Sequence, residues 1–103
     1  MDFVVDRKKR ARGGKNGAPM LLNGDGYQCC LGFCVEQIGY PKECMLEVGE
    51  PSELDEESVD AELFELEDRA IQINDDQKMD DVTREAKLAE LFENHGHTIS
   101  FRN

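Results

Sequence analysis

Apolar residues recur along this chain at spacings that predict three helices. Cys30, Leu31, Cys34, Val35 and Ile38 fall at i, i+1, i+4, i+5 and i+8, which draws one stripe down a helix over residues 29–38. Gly39 stands where a C-terminal cap belongs, and Pro41 prevents continuation. Gly32 sits inside this helix, where glycine costs about 1 kcal/mol against alanine. Its presence predicts a close approach by another stretch of backbone. A second helix is expected from about Ser58, because Val59, Leu63, Leu66, Ala70 and Ile73 alternate in fours and threes and Glu65 precedes Arg69 by one turn. Its end is open to two readings, since residues 70–74 also alternate with period two; Asn74-Asp75-Asp76 closes it either way. The third helix runs from near Val82 to His95, with Ala86, Leu88, Ala89, Leu91 and Phe92 facing inward, Asp80 or Asp81 as cap and Gly96 as terminator.

Extended structure is expected in two places. Residues 19–22 and 27–28 flank Asn23-Gly24-Asp25-Gly26, residues that accept positive φ cheaply, so the stretch reads as an early β-hairpin. Thr98-Ile99-Ser100-Phe101 reads as a terminal strand able to pair with that hairpin. The opening Phe3-Val4-Val5 followed by Arg7 to Arg12 reads as a short helix ending at Gly13-Gly14, or as a mobile basic arm over residues 1–17. The expected fold is therefore a single α+β domain over residues 1–103, about three helices packed on a small antiparallel sheet.

Charge sharpens this picture. The chain has 103 residues and a formal net charge of -11, room for one modest core. Residues 1–15 carry six basic side chains against two carboxylates, while the remainder carries six against 21. A basic segment thus precedes a strongly acidic body, which repels nucleic acid and attracts basic partners over about 10 Å at ordinary salt. No run approaches the roughly 20 apolar residues of a membrane span, and the N-terminus breaks into charge too early for a secretory leader. A cytoplasmic location is expected, with the four cysteines as thiols.

Candidate chemistry concentrates in the cysteines. Cys30 and Cys34 are one turn apart, Cys44 follows in a loop, and His95 or His97 offers a fourth ligand, which defines an alternative reading as a small zinc domain. The competing reading is core packing, since free cysteine is among the most buried residue types. Adjacent Cys29-Cys30 is not a redox motif. Residues 74–81 fail the calcium-loop pattern, because Lys78 takes an oxygen-ligand position and no glycine marks the turn. The glycines around Lys15 lack the order of a phosphate loop. No enzyme activity and no cofactor are expected. Arg7, Lys8, Lys9, Arg10 and Arg12 define a second alternative, nucleic-acid binding through a basic arm; against it stands a pairing of these charges with the acidic body. Between Glu43 and Glu93 lie 19 of the 23 carboxylates. Glu62, Glu65, Asp68, Glu85 and Glu93 are the candidate contacts for a partner protein.

Gly24-Asp25-Gly26-Tyr27-Gln28-Cys29-Cys30-Leu31-Gly32, with Asn74-Asp75 before the last helix, resembles a family of small phage and prophage proteins of unknown function. That pattern places another cysteine at position 35, where this chain has Val35 beside Cys34, a rotation of about 100° around the helix. The resemblance implies a phage-encoded protein in a bacterial cytoplasm and brings no activity with it. Together, these readings make the expectation a non-enzymatic accessory protein that contacts a host or phage protein through its acidic surface, as an inhibitor or DNA mimic.

Overall fold

The computed structural model describes residues 1–54 and 61–103. Two short strands, β1 (Asp2–Asp6) and β2 (Thr98–Arg102), lie at opposite ends of the chain. Between them run α1 (Cys30–Ile38), the single-turn α2 (Lys42–Met45), a 3-10 turn at Pro51–Glu53, α3 (Ala61–Asp75) and α4 (Asp81–Asn94). The expected helix start at Ser58 and the position of Val59 lie outside the described residues. Residues 70–74 are helical, which decides between the two readings of the end of the second helix.

The α+β class holds, but the sheet is parallel rather than antiparallel. β1 pairs β2 in the register Asp2↔Thr98 through Asp6↔Arg102. Parallel strands need a crossover between them, and here the helices supply it. The opening segment expected as helix or arm thus begins as a strand, with Phe3 and Val5 buried and Asp2 and Val4 exposed, and continues through turns and isolated bridges. Period-two alternation of Asp2, Phe3, Val4, Val5 and Asp6 outweighs the basic run behind it.

The early hairpin is absent as well: no strand spans residues 19–28. The Asn23 side chain takes over the turn, accepting from the N–H groups of Asp25 and Tyr27 (both 3.0 Å) and donating to the carbonyls of Asn16 (2.9 Å) and Ala18 (3.0 Å). Side-chain bonds of this kind compete with a strand ladder. The backbone of Leu21 and Leu22 instead meets the segment after α2, with Leu21 N–H donating to Val48 O and Glu47 N–H to Leu22 O, both 2.8 Å.

α1 forms where the stripe predicts, and Gly39 ends it at φ 118°, a left-handed conformation that favours glycine. Cys30 through Val35 are all buried in it. Asp80 caps α4, its carboxylate accepting from Thr83 N–H at 2.7 Å. α4 packs on α3 and on the sheet, and Phe92 meets Phe3 edge to face at 6.0 Å. Gly32 does mark a close approach: a Cβ there would overlap the Leu21 carbonyl oxygen and lie 3.0 Å from Leu21 Cα.

Candidate functional site

The thiols of the cysteine helix carry the metal reading. Cys29, Cys30 and Cys34 are buried and Cys44 is exposed. Among the described residues, the grouping of three potential ligand atoms within 4.8 Å of one another is Glu50, Glu67 and Asp68. Cys30, Cys34 and Cys44 do not form such a group, and neither do His95 and His97 with them. Burial pushes the Cys29 thiol up to about 11 and raises Cys30 and Cys34 well above the ordinary range. Thiols held neutral in this way are poor nucleophiles and poor metal ligands.

Two consequences follow. A thiol reagent added to the native protein should label one cysteine quickly, Cys44, and reach the other three only on unfolding; fast labelling of more than one would contradict the packing. Cys29 also ties stability to alkaline pH. Its folded value is raised, so its contribution is complete below the ordinary thiol value of 9.0 and is lost as pH rises toward about 11. Denaturation midpoints should fall across that window, and less steeply in a Cys29→Ala variant.

The two motif fragments singled out in the sequence meet at Asn74. Its Oδ1 accepts from Cys30 N–H at 3.4 Å, at the start of α1, and its Nδ2 donates to the Ala11 carbonyl at 3.1 Å. Its own carbonyl accepts from Gly13 N–H at 2.8 Å. Asn74 therefore fastens the start of α1, the end of α3 and the N-terminal segment together. The motif is a fastening of the fold.

The turn after α3 is closed by Arg84, which sequence reasoning missed. Its side chain is 3% exposed and donates to the carbonyls of Ile73 (3.3 Å), Asp76 and Met79 (2.8 Å), and to Asp81 Oδ1 (3.0 Å). Oxygens that a calcium ion would use are thus engaged by a guanidinium. The one signal in the sequence was a basic residue inside an acidic helical stretch, which reads as a surface ion pair.

The basic segment lies against α4. Arg7 grips Glu85 with two bonds (3.0 and 2.7 Å), Arg10 reaches Glu85 at 2.8 Å and Asp81 at 3.4 Å, and Arg12 reaches Asp81 at 3.0 Å. Arg10 is buried and also lies over the Phe101 ring, 5.7 Å from its centroid. These arginines hold the Glu85 and Asp81 carboxyls below the usual carboxylate range, chiefly through the bonds from Arg7 and Arg12 respectively. Lys8 and Lys9 remain exposed. Of the five basic candidates, three are thus bound to the body, from the irregular backbone that follows β1 rather than from a helix.

The acidic candidates divide. Glu85 is engaged as described. Glu62 stands in the first turn of α3, and its side chain lies outside the described part. Glu65 and Asp68 on α3 and Glu93 on α4 are exposed. His95 Nδ1 approaches Glu65 at 4.0 Å, which brings the end of α4 beside α3. Between these helices lies a shallow groove of about 210 Å³ lined by Arg69, Ile73, Lys87, Glu90, Leu91 and Asn94, so the acidic face is interrupted by two cations. Glu67 is buried, accepts from Ser52 N–H at 3.1 Å and stands with Glu50 and Asp68; burial, then Glu67, Glu53 and Asp68, raises the Glu50 carboxyl.

No helix among the described residues is long and apolar enough to cross a membrane. Comparison with protein-family models, with curated proteins and with solved structures finds no match for this chain.

Proposed function

We propose that this chain is a non-enzymatic phage accessory protein that binds a nucleic-acid-binding protein of its bacterial host through its acidic surface. The observation that supports this reading is the internal pairing of Arg7, Arg10 and Arg12 with Asp81 and Glu85. The three arginines of the basic segment are neutralised inside the molecule, while Lys8, Lys9 and Lys15 stay exposed. Exposed carboxylates such as Glu65, Asp68 and Glu93 keep their charge for a basic partner. The same pairing weighs against nucleic-acid binding through the basic arm, and the neutral buried thiols weigh against the zinc reading. The phage origin and the cytoplasmic setting rest on the resemblance of residues 24–32.

The test is a pull-down from bacterial lysate at about 0.15 M salt, near the physiological screening length. It compares the wild type with Glu65→Lys/Asp68→Lys/Glu93→Lys. A protein retained by the wild type and lost from the variant is the expected result. Identical retention by both would remove the acidic surface as the contact.

A further inference from the structure

In a parallel ladder, alternate residues of a strand direct both N–H and C=O toward the same neighbour. Thr98 N–H donates to Met1 O at 2.9 Å, and Arg7 N–H donates to Arg102 O at 2.7 Å. With the register of β1 and β2, these bonds turn Thr98, Ser100 and Arg102 toward β1. Ile99 and Phe101 therefore point their N–H and C=O groups away from it. Among the described residues these groups have no hydrogen-bond partner. The far edge of β1 is different: Val4, the central one of its outward-pointing residues, has N–H and C=O both taken by the Gln37 side-chain amide, at 2.8 and 2.6 Å, and the Asp6 carbonyl accepts from Lys9 N–H at 3.0 Å. One edge is closed by a side chain and the other is open. β2 also lacks the proline and the inward charge that commonly blunt an edge.

We infer that two copies of this chain associate through β2, running antiparallel about Ser100 to make one four-stranded sheet. The strand is complementary to itself in that register. A two-fold axis at Ser100 sets Ile99 opposite Phe101 of the second copy, and Phe101 opposite Ile99. Both residues of each pair point outward, so each pair exchanges both of its N–H···O bonds. Charge favours a second copy at this edge. Residues 94–103 contain no acidic side chain in a chain of net charge -11, so two copies meet here without stacking Asp or Glu on one another. Arg102 of each copy comes opposite Thr98 of the other, whose neighbour across the ladder is Asp2. A two-stranded ribbon is marginal alone, and further strands strengthen it.

Sedimentation equilibrium at the highest soluble concentration compares the wild type with Ser100→Lys. Ser100 is exposed and its backbone faces β1, so lysine leaves the monomer intact, as an unchanged far-ultraviolet dichroism spectrum would show. It sets two like charges directly opposite, about 4.5 Å apart at Cα. The wild type should sediment with twice the chain mass, and the variant's dissociation constant should rise at least about tenfold. A second experiment uses Cys44→Ser/Ser100→Cys and Cys44→Ser/Thr98→Cys under mild oxidation. The Ser100→Cys chain should form a covalent dimer, because its thiols face each other across the axis, whereas Thr98→Cys faces arginine and should not. Single-chain mass for the wild type, an undisturbed Ser100→Lys dimer, or equal crosslinking of the two cysteine variants would each overturn the inference.

Discussion

A Gly32→Val substitution is expected to destabilise the protein by about 3 kcal/mol or more, beyond the usual cost of overpacking a core. Gly32 lies in the middle of α1, whose neighbours Cys30, Leu31, Phe33, Cys34 and Val35 are all buried, so the helix cannot back away freely. Facing it is the Leu21 carbonyl, which is backbone and belongs to a loop fixed at both ends. Leu21 N–H donates to Val48 O, and Met20 O accepts from Cys29 N–H, both at 2.8 Å. Gly32→Ala is the more telling control. Helix propensity alone would make it stabilising by about 1 kcal/mol, so a loss measured by urea denaturation isolates the overlap with Leu21. A gain for alanine would contradict the close approach.

The second large effect is expected at Arg84. Arg84→Met should cost about 3–5 kcal/mol, since each of three carbonyls left without its donor costs about 1–3 kcal/mol. Methionine approximates the volume but abandons the carbonyls of Ile73, Asp76 and Met79 and removes one of the three guanidiniums around Asp81. Those carbonyls close the turn between α3 and α4, so the loss reaches both helices. Arg84→Lys should recover little, since a single ammonium cannot span oxygens that the planar fork reaches together. Arg69, exposed on α3, provides the comparison; Arg69→Met should stay within about 0.5 kcal/mol. Against a total stability of roughly 5–15 kcal/mol, the Arg84→Met chain would sit near its unfolding threshold. Equal denaturation midpoints for the two variants would show that Arg84 is not the fastening its contacts indicate.

The helices were legible because their signals are local. The stripe of Cys30, Leu31, Cys34 and Val35, the Gly39 cap and the Asp80 cap each act within a few residues, and Gly32 announced its neighbour by its cost alone. The sheet was not legible. Asp2 and Thr98 are 96 positions apart, and nothing in five alternating residues names a partner at that distance. The hairpin misread has a specific cause, since Asn23 satisfies with its side chain the groups that a second strand would have bonded. The role of Arg84 and the burial of Asn74 were hidden for a related reason. Each residue looks like a polar one on an exposed helix end, and its burial comes from chain brought in by the tertiary fold. The candidate site was legible as charge: the basic segment and the acidic body were evident, and their pairing takes Asp81 and Glu85 out of the exposed acidic set.

The most direct measurement of that reading is competitive elution. Proteins from a bacterial lysate are held on a duplex-DNA column at about 0.15 M salt and then washed with this chain, with the Glu65→Lys/Asp68→Lys/Glu93→Lys variant, or with polyglutamate of matched charge. The wild type should release a discrete set of proteins that neither control releases, and should itself pass through the column. Equal release by the variant, or retention of the wild type on the DNA, would contradict an acidic surface built to occupy a nucleic-acid-binding protein.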